Sequence, residues 1–152
     1  MGEVALKARP LPKLVVEPVP SFRVPIMLPE IGHLLDEIVK LYDWRFTIDD
    51  LVMWIVAKDM QLFLARETGH GNEYVAAMVT KLVPWPGGLE ISIVGMAGSE
   101  MGRLLPLIEQ IKEFGRSKGC REIQGFARPA IAAKTGWKKG GVMIWQPLEP
   151  EA

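Results

Sequence analysis

The chain of 152 residues carries one cysteine, Cys120, and two histidines, His33 and His70. A single thiol makes no internal disulfide and no Cys-x-x-Cys site, and with two histidines it argues against a structural zinc. Cys120 therefore reads as a small buried or half-buried apolar residue, and His33 as surface or packing. Neither sign of charge is in excess: 18 Lys and Arg balance 18 Asp and Glu. That excludes the basic surplus of a general nucleic-acid binder, and no specific nucleic acid is expected. No apolar run approaches the roughly 18 to 20 residues that span a bilayer, so no membrane partner is expected. Prolines interrupt any basic-then-apolar leader, which points to an intracellular compartment or the interior of a larger particle rather than secretion.

Proline is what the chain does have, and it is unevenly placed. Pro10, Pro12, Pro18, Pro20, Pro25 and Pro29 all fall in the first 29 residues, half of the chain's 12. Proline fixes φ and removes a donor, so a helix is excluded up to Pro29. Leu11, Leu14, Val15, Val16 and Val19 lie between the prolines and are too apolar for a solvated tail. The expectation is an extended arm over residues 1–25, docked on its own domain, on a neighbouring copy or on another protein partner. A domain over 26–148 and an acidic tail over 149–152 complete the division.

Within that domain Pro29 opens a helix, with Ile31, Leu34, Leu35, Ile38 and Leu41 as its apolar stripe. Thr47 caps a second helix over residues 48–58, with Asp49 and Asp50 in its first turn. Strands follow at 61–66, 73–83 and 89–96, separated by the turns 67–72 and 84–88. A helix beginning near Gly102 or Arg103, where Pro106 falls in the first turn, runs to about Lys118 and ends at Gly119. A strand at 121–127, a short helix at 129–134 and a last strand at 142–146 close the chain. Trp44, Trp54, Trp85, Trp137 and Trp145 read mainly as packing residues. The fold class is α/β (α+β), with a mixed, mostly antiparallel central sheet and helices on both faces.

This order resembles the fold of the GNAT family of N-acetyltransferases over about residues 26–148. Three stretches carry the resemblance. Tyr74-Val-Ala-Ala-Met-Val-Thr-Lys-Leu and the hairpin into Leu89-Glu-Ile-Ser-Ile-Val-Gly-Met resemble the family's long paired strands. Residues 97–118 stand where the family binds coenzyme A. The ending Ala133-Lys-Thr-Gly-Trp through Val142-Met-Ile-Trp resembles its short helix, Gly-aromatic pair and final strand. The resemblance implies that Met96, Gly98, Ser99, Met101, Gly102 and Arg103 would hold the coenzyme A pyrophosphate. Free N–H donors and the positive end of a helix suit an anion there.

The loop departs from the family's Arg/Gln-x-x-Gly-x-Gly/Ala form. Ala97 stands where Arg or Gln is usual and Glu100 where a glycine is usual. A carboxylate ~4 to 6 Å from a phosphate charge costs roughly 3 to 4 kcal/mol at an effective dielectric of about 20. The resemblance also implies a tyrosine that protonates the leaving thiolate, yet Ala132 fills that place. For a general base the candidates are Glu73, Glu90 and His70. The altered loop, the missing tyrosine and the apolar arm favour a non-catalytic protein acting by contact. It would resemble the short degenerate GNAT-like proteins of tailed bacteriophages, some of them internal or head-tail components of the virion. Host cytoplasm or virion would then be its place, with no cofactor and a possible homo-oligomer. The alternative is an active acetyl-CoA-dependent N-acetyltransferase.

Overall fold

The computed structural model describes residues 14–68, 73–98, 105–125 and 146–148. Strand β1 (Leu14–Val19) leads through a 3₁₀ turn (Ser21–Arg23) into helix α1 (Val24–Lys40) and then α2 (Ile48–Val56). Strands β2 (Gln61–Glu67), β3 (Tyr74–Trp85) and β4 (Gly88–Gly98) follow, then helix α3 (Leu105–Ser117) and β5 (Cys120–Gly125). The five strands lie side by side in chain order. The first three pairings are antiparallel, and β4 to β5 is parallel.

Alternation along the strands separates two apolar cores. Leu62, Leu64, Ala77 and Val79 face α1 and α2, packing with Ile31, Leu35, Ile38, Leu51 and Ile55. Phe63, Ala65, Ala76 and Met78 point the other way, packing with Leu107, Ile108 and Ile111 of α3. A sheet covered on both faces needs continuous apolar strands, which is why Ala76 through Thr80 are buried without a break. Thr80 is the one polar member of that run, and its hydroxyl donates to Gln61 Oε1 at 2.9 Å. The pair ties β2 to β3 at one register, because a one-residue slip would put the hydroxyl on the wrong face.

Of the expected dockings of the amino-terminal arm, its described part takes the first, on its own domain. Leu14–Val19 is the edge strand of the sheet, paired residue for residue with β2 from Leu14↔Glu67 to Val19↔Leu62. Val19 packs against the α1–α2 core and Val16 against the α3 core, so part of the apolar content assigned to docking is spent within the domain. Residues 14–25 therefore belong to the domain; residues 1–13 lie outside the described residues. Pro18 is tolerated because an edge strand has one unpaired side, where a missing donor breaks no ladder bond.

The start of α1 is a correction. It begins at Val24, with Pro25 in its first turn and Pro29 inside it. An internal proline costs about 3 kcal/mol. Val24 is fully buried and Met27 nearly so. Burying two such side chains contributes about 1.5 to 3 kcal/mol each, enough to carry the helix back through Pro29. Leu41 lies past the helix end and is exposed, as are Trp44 and Trp85; among the described tryptophans Trp54 packs, edge-on to Phe46 at 5.2 Å. The expected five-residue turn over 84–88 is tighter: β3 runs to Trp85, which pairs with Gly88 across Pro86-Gly87. The short helix and last strand expected over 129–134 and 142–146 lie outside the described residues, except that Gln146 is described and is not in a strand.

Candidate functional site

The sheet changes character near the middle of β4. Val79 pairs with Gly95 and Thr80 with Ile93, so Val94 is an extra residue with no partner in β3, a β-bulge. On the other edge, β4 pairs with β5 from Leu89↔Cys120 to Ile93↔Gly125. The described ladder therefore ends at the residue before the bulge. From Val94 to Gly98 β4 continues for about 13 Å while still paired to β3. The parallel β4–α3–β5 unit sends its connection out from this end of β4. In open sheets with parallel strands, ligands bind outside the carboxyl ends of the strands, where a helix begins.

Contacts from the α1 side reach this segment at both ends. The Tyr42 hydroxyl, just beyond α1, donates to the Val94 carbonyl. The Glu37 carboxylate accepts from the Gly98 N–H at 3.1 Å. Gly98 has φ +137°, a conformation suited to glycine, and a Cβ there would sit 2.8 Å from the Val75 carbonyl oxygen. Burial raises the Tyr42 pKa above the ordinary phenol value, with Arg45 acting weakly the other way. The hydroxyl is therefore a neutral donor throughout the neutral range.

Nearer the start of β4, polar side chains line the seam with β5. Gln124 Nε2 donates to Glu90 Oε1 at 3.0 Å and to Ser92 Oγ at 3.4 Å. Ile91 and Ile93 point into the α3 core, so Glu90 and Ser92 project from the opposite face, the face α1 covers further along. This row leads along the seam toward the bulge.

The candidates from sequence fall at different places. Glu90 stands eight residues before Gly98, about 26 Å along the strand, and about 13 Å from the bulge. Glu73 is exposed and precedes β3 at the sheet end where Ala76 pairs with Gly98. The two carboxylates thus stand toward opposite ends of the sheet. Met96 packs partly buried against the α3 core, and Gly98 ends β4. His70, Ser99, Met101, Gly102 and Arg103 lie outside the described residues, as does Glu100. Helix α3 is described from Leu105, with Pro106 next in its first turn and a left-handed Gly119 (φ +77°) just past its end.

Glu37, Tyr42, Ser92 and Gln124 were not singled out from sequence. The first two act on a strand 61 and 52 residues away, and no local spacing announces such a partner. Cys120 is half-buried and free, and burial raises its pKa, which keeps the thiol protonated at neutral pH. Among the described residues no group of three His, Cys, Asp or Glu could hold a metal, and no helix is long and apolar enough to cross a membrane.

No family model matches the chain, and no curated protein matches it in sequence. Solved structures do match it in shape. An aminoglycoside acetyltransferase from an uncultured soil metagenomic sample, in complex with sisomicin, is 15% identical with a TM-score of 0.68, covering 90% of this chain and 97% of its own. A predicted acetyltransferase with acetyl-CoA from Clostridium acetobutylicum is 11% identical at TM-score 0.64, covering 90% and 97%. A GNAT family acetyltransferase from Staphylococcus aureus is 12% identical at TM-score 0.63, covering 89% and 98%. The fold is the GNAT fold, whose described residues form five mostly antiparallel strands with helices on both faces.

Proposed function

We propose that this chain binds an acyl-coenzyme A, acetyl-CoA in the simplest case, and transfers its acyl group to an amine. The observation that carries the reading is the Val94 bulge in β4, in a βαβ unit whose connection leaves from Gly98. This fold holds acetyl-CoA in the Clostridium acetobutylicum protein. Met96 and Gly98, followed by Ser99, Met101, Gly102 and Arg103, would hold the pyrophosphate where β4 gives way to α3. The pantetheine arm would then follow β4 back toward the bulge.

In the reaction the amine attacks the thioester carbonyl carbon, the C–N bond forms and the C–S bond breaks. The sulfur leaves as thiolate and takes a proton from solvent, while the nitrogen loses one to a base. Glu90 is the better placed of the two described carboxylates for that role, because Gln124 orients it on the seam leading to the bulge. It would act through water along the Ser92 row, since it stands about 13 Å from Val94. Replacing Glu90 with Gln should lower kcat about 100-fold and leave acetyl-CoA affinity unchanged. An equal loss from Glu73→Gln and none from Glu90→Gln would reverse the assignment.

A second reading, a degenerate protein that acts by contact, such as a phage virion component, is favoured by one contact. Glu37 occupies the Gly98 N–H, a donor that an anion would otherwise use, and Glu100 adds a second carboxylate in the loop. Calorimetric titration with acetyl-CoA, followed by thiol release with an aminoglycoside and a peptide amine as acceptors, separates the two. Micromolar binding and turnover support transfer; no binding at millimolar acetyl-CoA supports the contact reading. Under the transfer reading Glu100→Gly should strengthen acetyl-CoA binding by tenfold or more, since it removes a repulsive charge. Under the contact reading it changes only stability, by ~1 kcal/mol or less through the helix dipole.

A further inference from the structure

The last turn of α1 and the residues just after it hold the end of β4 at three points. Glu37 accepts from the Gly98 N–H. Ile38 lies so close to Gly95 that a Cβ there would be 2.6 Å from its Cγ2 atom. Tyr42 donates to the carbonyl of Val94. The three contacts span the five residues from the bulge to the end of β4. The bulged peptide is the weak point of that span. Val94 has no register partner in β3, so the ladder alone does not fix which way its carbonyl turns. The Tyr42 hydroxyl supplies the missing partner. Its ring lies tilted against Phe46 with the centroids 4.8 Å apart, and Phe46 meets Trp54 at 5.2 Å, so the hydroxyl is carried on a packed aromatic row.

We infer that Tyr42 is a positioning residue, whose bond to Val94 fixes the bulge of β4. The effect on acyl transfer rests on the function proposed above; the effect on the bulge does not. A thioester aligned along β4 depends on which backbone groups the bulge presents, and a displacement of about 1 Å at a reacting centre costs on the order of 100-fold in rate. Affinity for the cofactor depends chiefly on the pyrophosphate loop, at the other end of the segment. Loss of the hydroxyl should therefore lower kcat and spare binding.

The test is Tyr42→Phe in the full chain, which keeps the ring. Hydrogen exchange should quicken at least tenfold at amides 93–98 and stay unchanged in α3 and β5. The kcat should fall at least tenfold, with acetyl-CoA affinity within threefold of the parent and the shape of the pH profile unaltered. Unchanged exchange in β4 would overturn the clamp. Faster exchange with unchanged kcat would overturn its part in transfer. Loss of an alkaline limb in the pH profile would overturn positioning in favour of proton donation. If the parent chain binds no acetyl-CoA, the proposed function fails and exchange alone decides the clamp. Should circular dichroism show that Tyr42→Phe does not fold, Phe46→Leu must produce the same localised quickening, because it loosens the ring and keeps the hydroxyl; uniform exchange across the sheet would count against the proposal.

Discussion

At the scale of single residues, Thr47 gives the most direct test. Its hydroxyl accepts from the Asp50 N–H at 3.2 Å, and the Asp50 carboxylate accepts from the Thr47 N–H at 2.9 Å. This reciprocal pair starts a helix of nine residues, too short to form without a cap and packing. Thr47→Ala should cost ~1 kcal/mol, lowering the melting temperature by about 2 to 4 °C for a chain of this size. Thr47 and the acidic first turn were legible in the sequence because capping is a short-range signal. Tyr42 was not, since its partner is in another element. Burial holds its folded pKa above the unfolded phenol value, so its contribution to stability is intact below pH ~10 and is lost as pH rises through the higher folded value. Denaturant midpoints at pH 9 and pH 11 should show a larger alkaline loss in the parent than in Tyr42→Phe.

Among the elements, the central strands and α3 could be read from the chain, and the ends of the amino-terminal elements could not. Two glycine-bearing turns and continuous apolar runs gave β2, β3 and β4 to within a few residues at each end. Strand β1 was legible as extended but not as part of the sheet, because Pro18 and Pro20 argue locally against a strand and its partner lies beyond two helices. The start of α1 was misplaced because the proline rule is local, whereas the burial of Val24 and Met27 that overrides it is tertiary. Gly95 is a case where an element's packing demands one residue. Gly95→Ala should cost about 1 to 3 kcal/mol by overpacking against Ile38, and Ile38→Ala in the same chain should recover part of it. Chemical denaturation of the single and double variants checks this, and additive losses would mean that Gly95 matters for another reason.

For the whole molecule, the sheet joins two cores that share no helix, and β1 packs against both. A deletion of residues 1–13 serves as the reference for the contribution of β1. Removing residues 1–19 should cost about 3 kcal/mol or more, as Val16 and Val19 are lost and the β2 edge is bared. Equal, small effects of the two deletions would mean that β1 contributes little to the domain. The general plan of this sheet followed from the order of strands and helices, while the bulge in β4 did not. A bulge leaves no periodic trace when the residues on both sides of it are apolar, as in Ile91-Ser-Ile-Val-Gly-Met.

The pairing of β1 with β2 also sets a sequence of events during synthesis. Strands β2, β3 and β4 join through short turns, so their loops close early and at low entropic cost. Strand β1 leaves the ribosome well before its partner, which follows only after both α1 and α2 have been made. At ~5 to 20 residues per second that interval lasts roughly 2 to 9 seconds. Throughout it, Leu14, Val15, Val16 and Val19 have no β2 to pair with, and Pro18 and Pro20 hinder their addition to any other nascent strand. Strand β1 thus waits unpaired through the synthesis of two helices, and a chaperone that binds short extended apolar segments would find it open during that interval.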